Sequence, residues 1–212
     1  MVLEAFAAGA DGVMIGACKR GECHYSSGNI HAEAKLGLTR KVLGYAGLAP
    51  ERLAMRWMSS AEGNKFADYV TAFQEEISKL GPLGLAEGLG RDDLRIKLEA
   101  AREALAGRKL RWVAGKLVEF GEKGNLYGEV FTAHEIGRLC DEVAADEFRL
   151  REILERVGEG PRSARQLAAD MGVAPRVVLR HLADLKRMGL ARVAGLDGRS
   201  PLWAAETARE YR

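Results

Sequence analysis

Two short apolar segments, each placed between stretches with helical spacing, constrain the fold of the first 84 residues most strongly. The segments "DGVMIGAC" and "RLAMRWMS" have the length and composition of buried strands. Asn29 is the predicted N-cap of the helix between them. Helices that alternate with strands in this order are typical of a parallel sheet with crossover helices. We therefore predict an α/β N-terminal domain over residues 1–84.

The predicted sheet has only two strands. Parallel sheets are normally covered on both faces, and a lone pair of strands is marginally stable. We therefore expect a partial parallel sheet in a domain that is truncated at its N-terminus, with Met1 close to a sheet strand.

The loop after the first predicted strand holds two of the three cysteines. Cys18 and Cys23 are separated by four residues in "GACKRGECHYSSGN", a spacing also found at [2Fe-2S] sites, where four thiolates hold the cluster. A zinc site that adds His24 and His31 is an alternative, although the usual Cys-x2-Cys spacing is missing. Cys140 lies in the helical pattern "IGRLCDEVA" and is predicted to be a buried structural thiol.

The segment "PLGLAEGLG" reads as a glycine-rich linker that leads into a predicted helical connector at residues 85–146. Apolar residues recur there every three or four positions, and Thr132 with Glu135 forms a predicted capping box. Residues 85–157 carry 13 basic and 15 acidic side chains. That balance suits a solvated connector or a partner-binding surface.

The pattern of residues 147–212 predicts helices at 147–157, 163–171 and 175–188, followed by two strands around the turn "LDGRS". In this order of elements the segment resembles a winged helix-turn-helix domain. In DNA-binding members the third helix enters the major groove. The candidate nucleic-acid contacts are Arg176, Arg180, His181, Lys186, Arg187 and Arg199. Such domains also dock proteins, so DNA binding is the alternative interpretation here.

Overall composition excludes several other classes of protein. The 32 Lys and Arg residues nearly balance 30 Asp and Glu residues, so no global charge points to nucleic acid or a membrane. The chain lacks a secretory signal and any run of about 18 or more apolar residues. Three cysteines are too few for a disulfide framework. We expect a cytoplasmic protein, and no motif predicts catalytic residues.

Residues 1–84 contain three distinctive elements: Gly-Ala-Asp-Gly-Val, Cys-x4-Cys-His-Tyr and Ser-Ala-Glu-Gly-x-Lys-Phe. Through these elements the segment resembles the delta (iron-sulfur) subunit of methyl-viologen-reducing hydrogenase, a family associated with heterodisulfide reductase. The resemblance implies a non-catalytic electron-transfer subunit whose [2Fe-2S] cluster is bound by Cys18 and Cys23. His24, Tyr25 and Ser26 would then tune the cluster from around the sulfur atoms. The family's upstream cysteines have no counterpart here, which implies an incomplete ligand set in this chain.

The same resemblance implies partners in anaerobic metabolism. Family members relay electrons between a hydrogenase or formate dehydrogenase and the flavin-bearing subunit of heterodisulfide reductase. Residues 85–212 lie outside the resemblance, and docking onto such a partner is our hypothesis for them. Two alternatives stay open: a redox- or metal-responsive DNA-binding regulator, and a remnant that binds partners without a cofactor.

Overall fold

The chain forms two compact units in the computed structural model, which describes residues 1–125 and 127–206. The division falls between Ala145 and Asp146. Unit 1 contains the N-terminal α/β segment and most of the predicted connector, and unit 2 contains the segment with the helix-turn-helix pattern.

Unit 1 opens with alternating helices and strands. Its first elements are α1 (Val2–Ala7), β1 (Val13–Ala17), α2 (Gly28–Tyr45), a 3-10 turn (Pro50–Arg52), β2 (Leu53–Trp57) and α3 (Gly63–Leu80). Strands β1 and β2 pair in parallel, with Val13 opposite Leu53 and Ala17 opposite Trp57. Within the described ranges no third strand joins this sheet. The prediction of a small parallel sheet crossed by helices is confirmed.

Three further helices follow α3 in unit 1. They are α4 (Arg91–Ala106), α5 (Arg108–Glu122) and α6 (Ala133–Gly158), the last of which continues into unit 2. Helix α4 can pack closely against its neighbours in unit 1 because three of its buried side chains are small: Ala100, Ala101 and Ala104. The predicted capping box at the start of α6 is confirmed, since the Glu135 amide donates to the Thr132 hydroxyl and the Thr132 amide donates to the Glu135 carboxylate.

A buried ion pair fixes the linker after α3. The Arg52 side chain is only 1% exposed, and its Nε lies 2.6 Å from a carboxylate oxygen of Glu87. Its Nη1 also donates to the carbonyl oxygens of Asp11 and Gly81, each at 2.9 Å. One guanidinium therefore joins the start of β1, the end of α3 and the linker.

Unit 2 packs helices against a small antiparallel sheet. After α6 come β3 (Arg162–Ser163), α7 (Ala164–Met171), α8 (Pro175–Arg187), β4 (Ala191–Asp197) and β5 (Ser200–Ala205), with strand order β3-β5-β4. Ile153, Leu167, Leu182, Leu185 and Trp203 are central to the core. The helix predicted at 147–157 is the last part of the 26-residue α6.

No helix in the described part of the chain is both long enough and apolar enough to span a bilayer.

Candidate cysteine site

The two cysteines of the N-terminal loop lie at and just beyond the carboxyl end of β1. Cys18 is exposed, Cys23 is half-buried, and both are free thiols. The loop that joins β1 to α2 turns at Gly21 and Ser26, which have positive φ angles of 84° and 58°. Ligands commonly bind at this edge of open α/β sheets.

Asn29 anchors this loop from within α2. Its side chain is almost fully buried, and its amide nitrogen donates to the carbonyl oxygens of Cys18 at 2.9 Å and Lys19 at 3.0 Å. The prediction that Asn29 caps α2 is wrong, because the helix begins at Gly28 and the cap position is Ser27. The amide group instead holds the end of β1, a contact that joins positions ten and eleven residues apart.

Ion pairs hold the loop from two further sides. Lys19 Nζ lies 2.8 Å from Glu62, whose other oxygen accepts the Ser59 amide at 2.7 Å. The hydrogen bond from Lys19 lowers the pKa of Glu62, and the same bond raises the pKa of Lys19. Sequence reasoning missed Glu62 as a site residue, although it belongs to the Ser-Ala-Glu-Gly element.

Arg20 forms the second link, from the loop to α2 and β2. Its guanidinium pairs with Glu33 at 2.5 Å and lies 5.7 Å from the ring centre of Trp57. These contacts hold the loop from the Cys18 carbonyl to Arg20, and the Cys18 side chain lies at the surface.

The three residues after Cys23 continue the loop. The rings of His24 and Tyr25 meet edge to face, with centres 5.1 Å apart. The Ser26 amide donates to the Cys23 carbonyl oxygen at 2.9 Å. A direct effect of these three side chains on a cluster stays a prediction.

The donor set can be tested against a metal centre. A [2Fe-2S] cluster takes four protein ligands, and the loop offers two thiols. Across residues 1–125 and 127–206, no three His, Cys, Asp or Glu side chains are grouped so that they could hold a metal ion. His24 and His31 therefore do not complete a zinc site. Cys140 is buried in α6, and burial raises the pKa of its thiol. The described residues alone do not fit a complete cluster.

An open cavity of about 340 Å³ lies beside Cys18. The end of β1, the segment that follows β2 and the start of α3 form its walls. The lining residues are Gly16, Ala17, Cys18, Met58, Ser59, Ser60, Glu62, Gly63 and Phe66. A group bound at the Cys18 thiol thus has an approach that is already open.

Only some of the residues predicted to contact nucleic acid in unit 2 are exposed and without an acidic partner in the described structure. Arg180 pairs with Asp146 at 2.8 Å, and Arg187 pairs with Asp184 at 2.8 Å. His181 is fully buried in the core, so the prediction that it contacts nucleic acid is wrong. The residues that remain exposed without an acidic partner in the described structure are Arg176, Lys186 and Arg199.

Comparison with known proteins separates the chain into two matched segments. Residues 1–81 match the family described as "Methyl-viologen-reducing hydrogenase, delta subunit". The resemblance inferred from the sequence is confirmed for this segment. Residues 149–193 match the family described as "Bacterial regulatory protein, arsR family".

Two relatives that match the first segment belong to differently named proteins. An iron-sulfur subunit of the F420-non-reducing hydrogenase of Archaeoglobus profundus is 46% identical over 81 residues, which are 38% of this chain and 59% of that protein. A subunit of the ferredoxin:CoB-CoM heterodisulfide reductase of Methanosarcina mazei is 41% identical over 83 residues, which are 39% of this chain. The match spans only 10% of that longer reductase chain.

Proposed function

We propose that the chain is a cytoplasmic electron-transfer subunit of an anaerobic oxidoreductase complex. It would relay electrons between a hydrogenase or formate dehydrogenase and the flavin-bearing subunit of heterodisulfide reductase. The observation that carries the proposal is the match over residues 1–81, which includes the loop with Cys18 and Cys23. Relatives whose names identify them as subunits of a hydrogenase and of a heterodisulfide reductase support it.

In this role Cys18 and Cys23 bind a [2Fe-2S] cluster as thiolates, and the remaining ligands come from outside the described residues. Asn29 and the Lys19–Glu62 pair hold the loop so that both thiols keep their positions. The exposure of Cys18 supports the proposal, because electron transfer between proteins requires a site close to the surface.

The proposal is tested by purifying the tagged full-length chain anaerobically from its native cells. Iron, acid-labile sulfide and co-purifying proteins are measured together. We expect about two irons and two sulfides for each copy of the chain, together with hydrogenase or heterodisulfide reductase subunits. Cys23→Ser should abolish or convert the cluster, whereas Cys140→Ala removes the buried thiol and should leave the iron content unchanged. Equal iron content and an equal spectrum in both variants contradict the assignment.

A second candidate function is a DNA-binding regulator that uses unit 2. The match of residues 149–193 to a family of regulatory proteins favours it, as do the exposed side chains of Arg176, Lys186 and Arg199. In this interpretation unit 2 is a winged helix-turn-helix whose α8 enters the major groove. Arg176→Ala should weaken binding to DNA. It should also reduce the slope of the logarithm of the binding constant against the logarithm of the salt concentration by about one. Absence of salt-dependent DNA binding by the full chain contradicts this candidate.

A further inference from the structure

A cavity of about 490 Å³ lies within unit 1 where helix α5 packs against helix α2, and the end of α4 forms part of its wall. We call it the α2–α5 cavity. The volume falls in the range of about 300–1,000 Å³ that is usual for small-molecule sites. The lining residues are Lys35, Leu38, Thr39, Leu105, Leu110, Arg111, Ala114 and Gly115. None of them belongs to the cysteine loop or to unit 2, so neither candidate function assigns a role to this cavity.

The inner wall of the α2–α5 cavity is apolar. Leu38 and Leu110 are almost fully buried, and Leu105 and Ala114 are half-buried. These four side chains offer hydrocarbon and no polar atom. A polar group placed against them would lose its hydrogen bonds to water, so a ligand that reaches this wall must carry an apolar part.

Gly115 keeps the cavity open in the middle of α5. A glycine inside a helix is less favourable than an alanine. Close packing does not require it here, since a Cβ atom at this position would have no heavy atom within 4 Å. The absence of a side chain instead leaves open space beside Ala114, which is what a bound ligand needs.

Two of the lining residues are cationic and exposed, Lys35 on α2 and Arg111 on α5. Neither has an acidic partner within residues 1–125 and 127–206. No Asp or Glu of the described chain lines the cavity. Two positive charges at one cavity without a counter-charge produce a local positive potential, which favours an anion.

Other lysines on the same two helices are neutralised. Lys41 of α2 lies 2.7 Å from Asp141, and Lys116 of α5 lies 2.6 Å from Glu119. The lack of a partner for the two cations of the cavity therefore does not reflect a general shortage of carboxylates around α2 and α5.

The donors for an anion come from these two cations. The Thr39 hydroxyl donates to the Lys35 carbonyl oxygen at 2.9 Å, so its proton is already in use. The Lys35 ammonium and the Arg111 guanidinium each form charge-assisted hydrogen bonds with carboxylate or phosphate oxygens where these are present.

We propose that the α2–α5 cavity binds a small amphipathic anion with a carboxylate or phosphate head and an apolar tail. The head pairs with Lys35 and Arg111, and the tail lies against Leu38, Leu105 and Leu110. A polyanion such as a nucleic acid fits less well, because it takes a row of cations on an open surface rather than two cations beside an apolar wall. The inference holds whether or not the chain carries a cluster or binds DNA.

Isothermal titration calorimetry of the full-length chain tests the two parts of the ligand separately. We expect octanoate or octyl phosphate to bind with a dissociation constant below about 1 mM. The head group of the tighter of the two identifies the source as a carboxylate or a phosphate. An uncharged tail, 1-octanol, and heads without a tail, acetate and inorganic phosphate, should each bind at least about tenfold more weakly.

Substitution at a glycine tests the position of the tail. Gly115→Met fills the cavity, whereas Gly137→Met places the same side chain at a glycine of α6 that is outside the lining and also has open space around it. Gly115→Met should weaken the binding of the anions at least about tenfold. Gly137→Met should bind them as the unsubstituted chain does.

Substitution at an arginine tests the position of the head. Arg111→Gln should weaken the binding of the anions about tenfold and leave that of 1-octanol unchanged. Its control is Arg108→Gln, which removes an exposed cation of the same helix outside the lining. This control should change the binding of the anions less than about threefold, because solvent and salt screen exposed charges.

Three results would overturn the proposal: no binding of either amphipathic anion, equal binding of 1-octanol, or binding that Gly115→Met and Arg111→Gln leave unchanged. Circular dichroism checks that each variant is folded. Where Gly115→Met is unfolded, Arg111→Gln and Lys35→Gln decide, since both change exposed positions. Iron content and DNA binding do not enter the measurement, so its outcome is separate from that of the proposed function.

Discussion

Removal of the Arg52 guanidinium should destabilise unit 1 more than the loss of any exposed ion pair. In Arg52→Met the side chain keeps much of its apolar length but no longer reaches the Glu87 carboxylate, which is itself 10% exposed. The carbonyl oxygens of Asp11 and Gly81 lose their donor as well. The variant thus leaves the Glu87 charge without its ionic partner, with only the amides of Ala49 and Gly84 as donors, and leaves two carbonyl acceptors without that donor.

The expected cost follows from this burial. Breaking a buried ion pair by removing one partner costs about 3–5 kcal/mol. The matched control is Arg56→Met, which removes a half-exposed pair with Glu76 at 3.0 Å and should cost about 0–1 kcal/mol. Adding Glu87→Gln to Arg52→Met should recover part of the loss, because the buried negative charge disappears.

Native-state hydrogen exchange measures the effect within unit 1. The amides of β2 should exchange about a hundredfold or more faster in Arg52→Met and less than about tenfold faster in Arg56→Met. Equal exchange rates of the β2 amides in the two variants would refute the conclusion that the Arg52–Glu87 pair stabilises the linker. If adding Glu87→Gln to Arg52→Met does not slow the exchange, the role of the unpaired charge is refuted.

The same pair gives unit 1 a dependence on acid. Burial raises the pKa of Glu87. Hydrogen bonds from Arg52 and from the amides of Ala49 and Gly84, together with the Arg52 charge, lower this pKa by more, so it lies below the ordinary value of 4.5. A carboxyl with a depressed folded pKa stabilises fully above its ordinary pKa and loses this contribution as pH falls through the folded value. Glu87→Gln should therefore flatten the acid limb of the stability of unit 1 below about pH 4.5.

Three further predictions concern the cysteines and the core of unit 2. Asn29→Ala should speed the reaction of Cys18 and Cys23 with a thiol reagent, because two loop carbonyls lose their donor; unchanged rates would contradict the anchoring role. In the native chain without a bound metal, two thiols should react and Cys140 only after unfolding, since it is buried; rapid reaction of all three would contradict this. Burial lowers the pKa of His181, so stability of unit 2 should fall as pH drops below 6.5, and His181→Leu should remove that loss.

The sequence predicts the order of strands and helices well where local patterns decide it. Short apolar runs mark β1 and β2, and the capping box marks the start of α6. Helix α6 is long because residues 133–158 contain no proline that would end it. These features depend on neighbours along the chain, and local physics suffices for them.

Contacts between distant residues explain what the sequence did not predict. Arginine is seldom buried, and the burial of Arg52 depends on Glu87, which lies 35 positions away. The side chain of Asn29 reaches the end of β1 only because the loop folds back on α2. His181 is different, because its spacing from Val178 and Leu185 already places it on the apolar face of α8.

The open edge of β1 also bears on how the chain is produced. Among the described residues, no strand pairs with one edge of β1, and Phe66 and Val70 of α3 are exposed. Such a surface associates with other unpaired strands. A chain made in excess of whatever covers this surface is therefore exposed to aggregation and to proteolysis. If the chain has the partner proposed above, the yield of intact protein should depend on co-production of that partner, because the unpaired edge then limits the amount of free chain that accumulates.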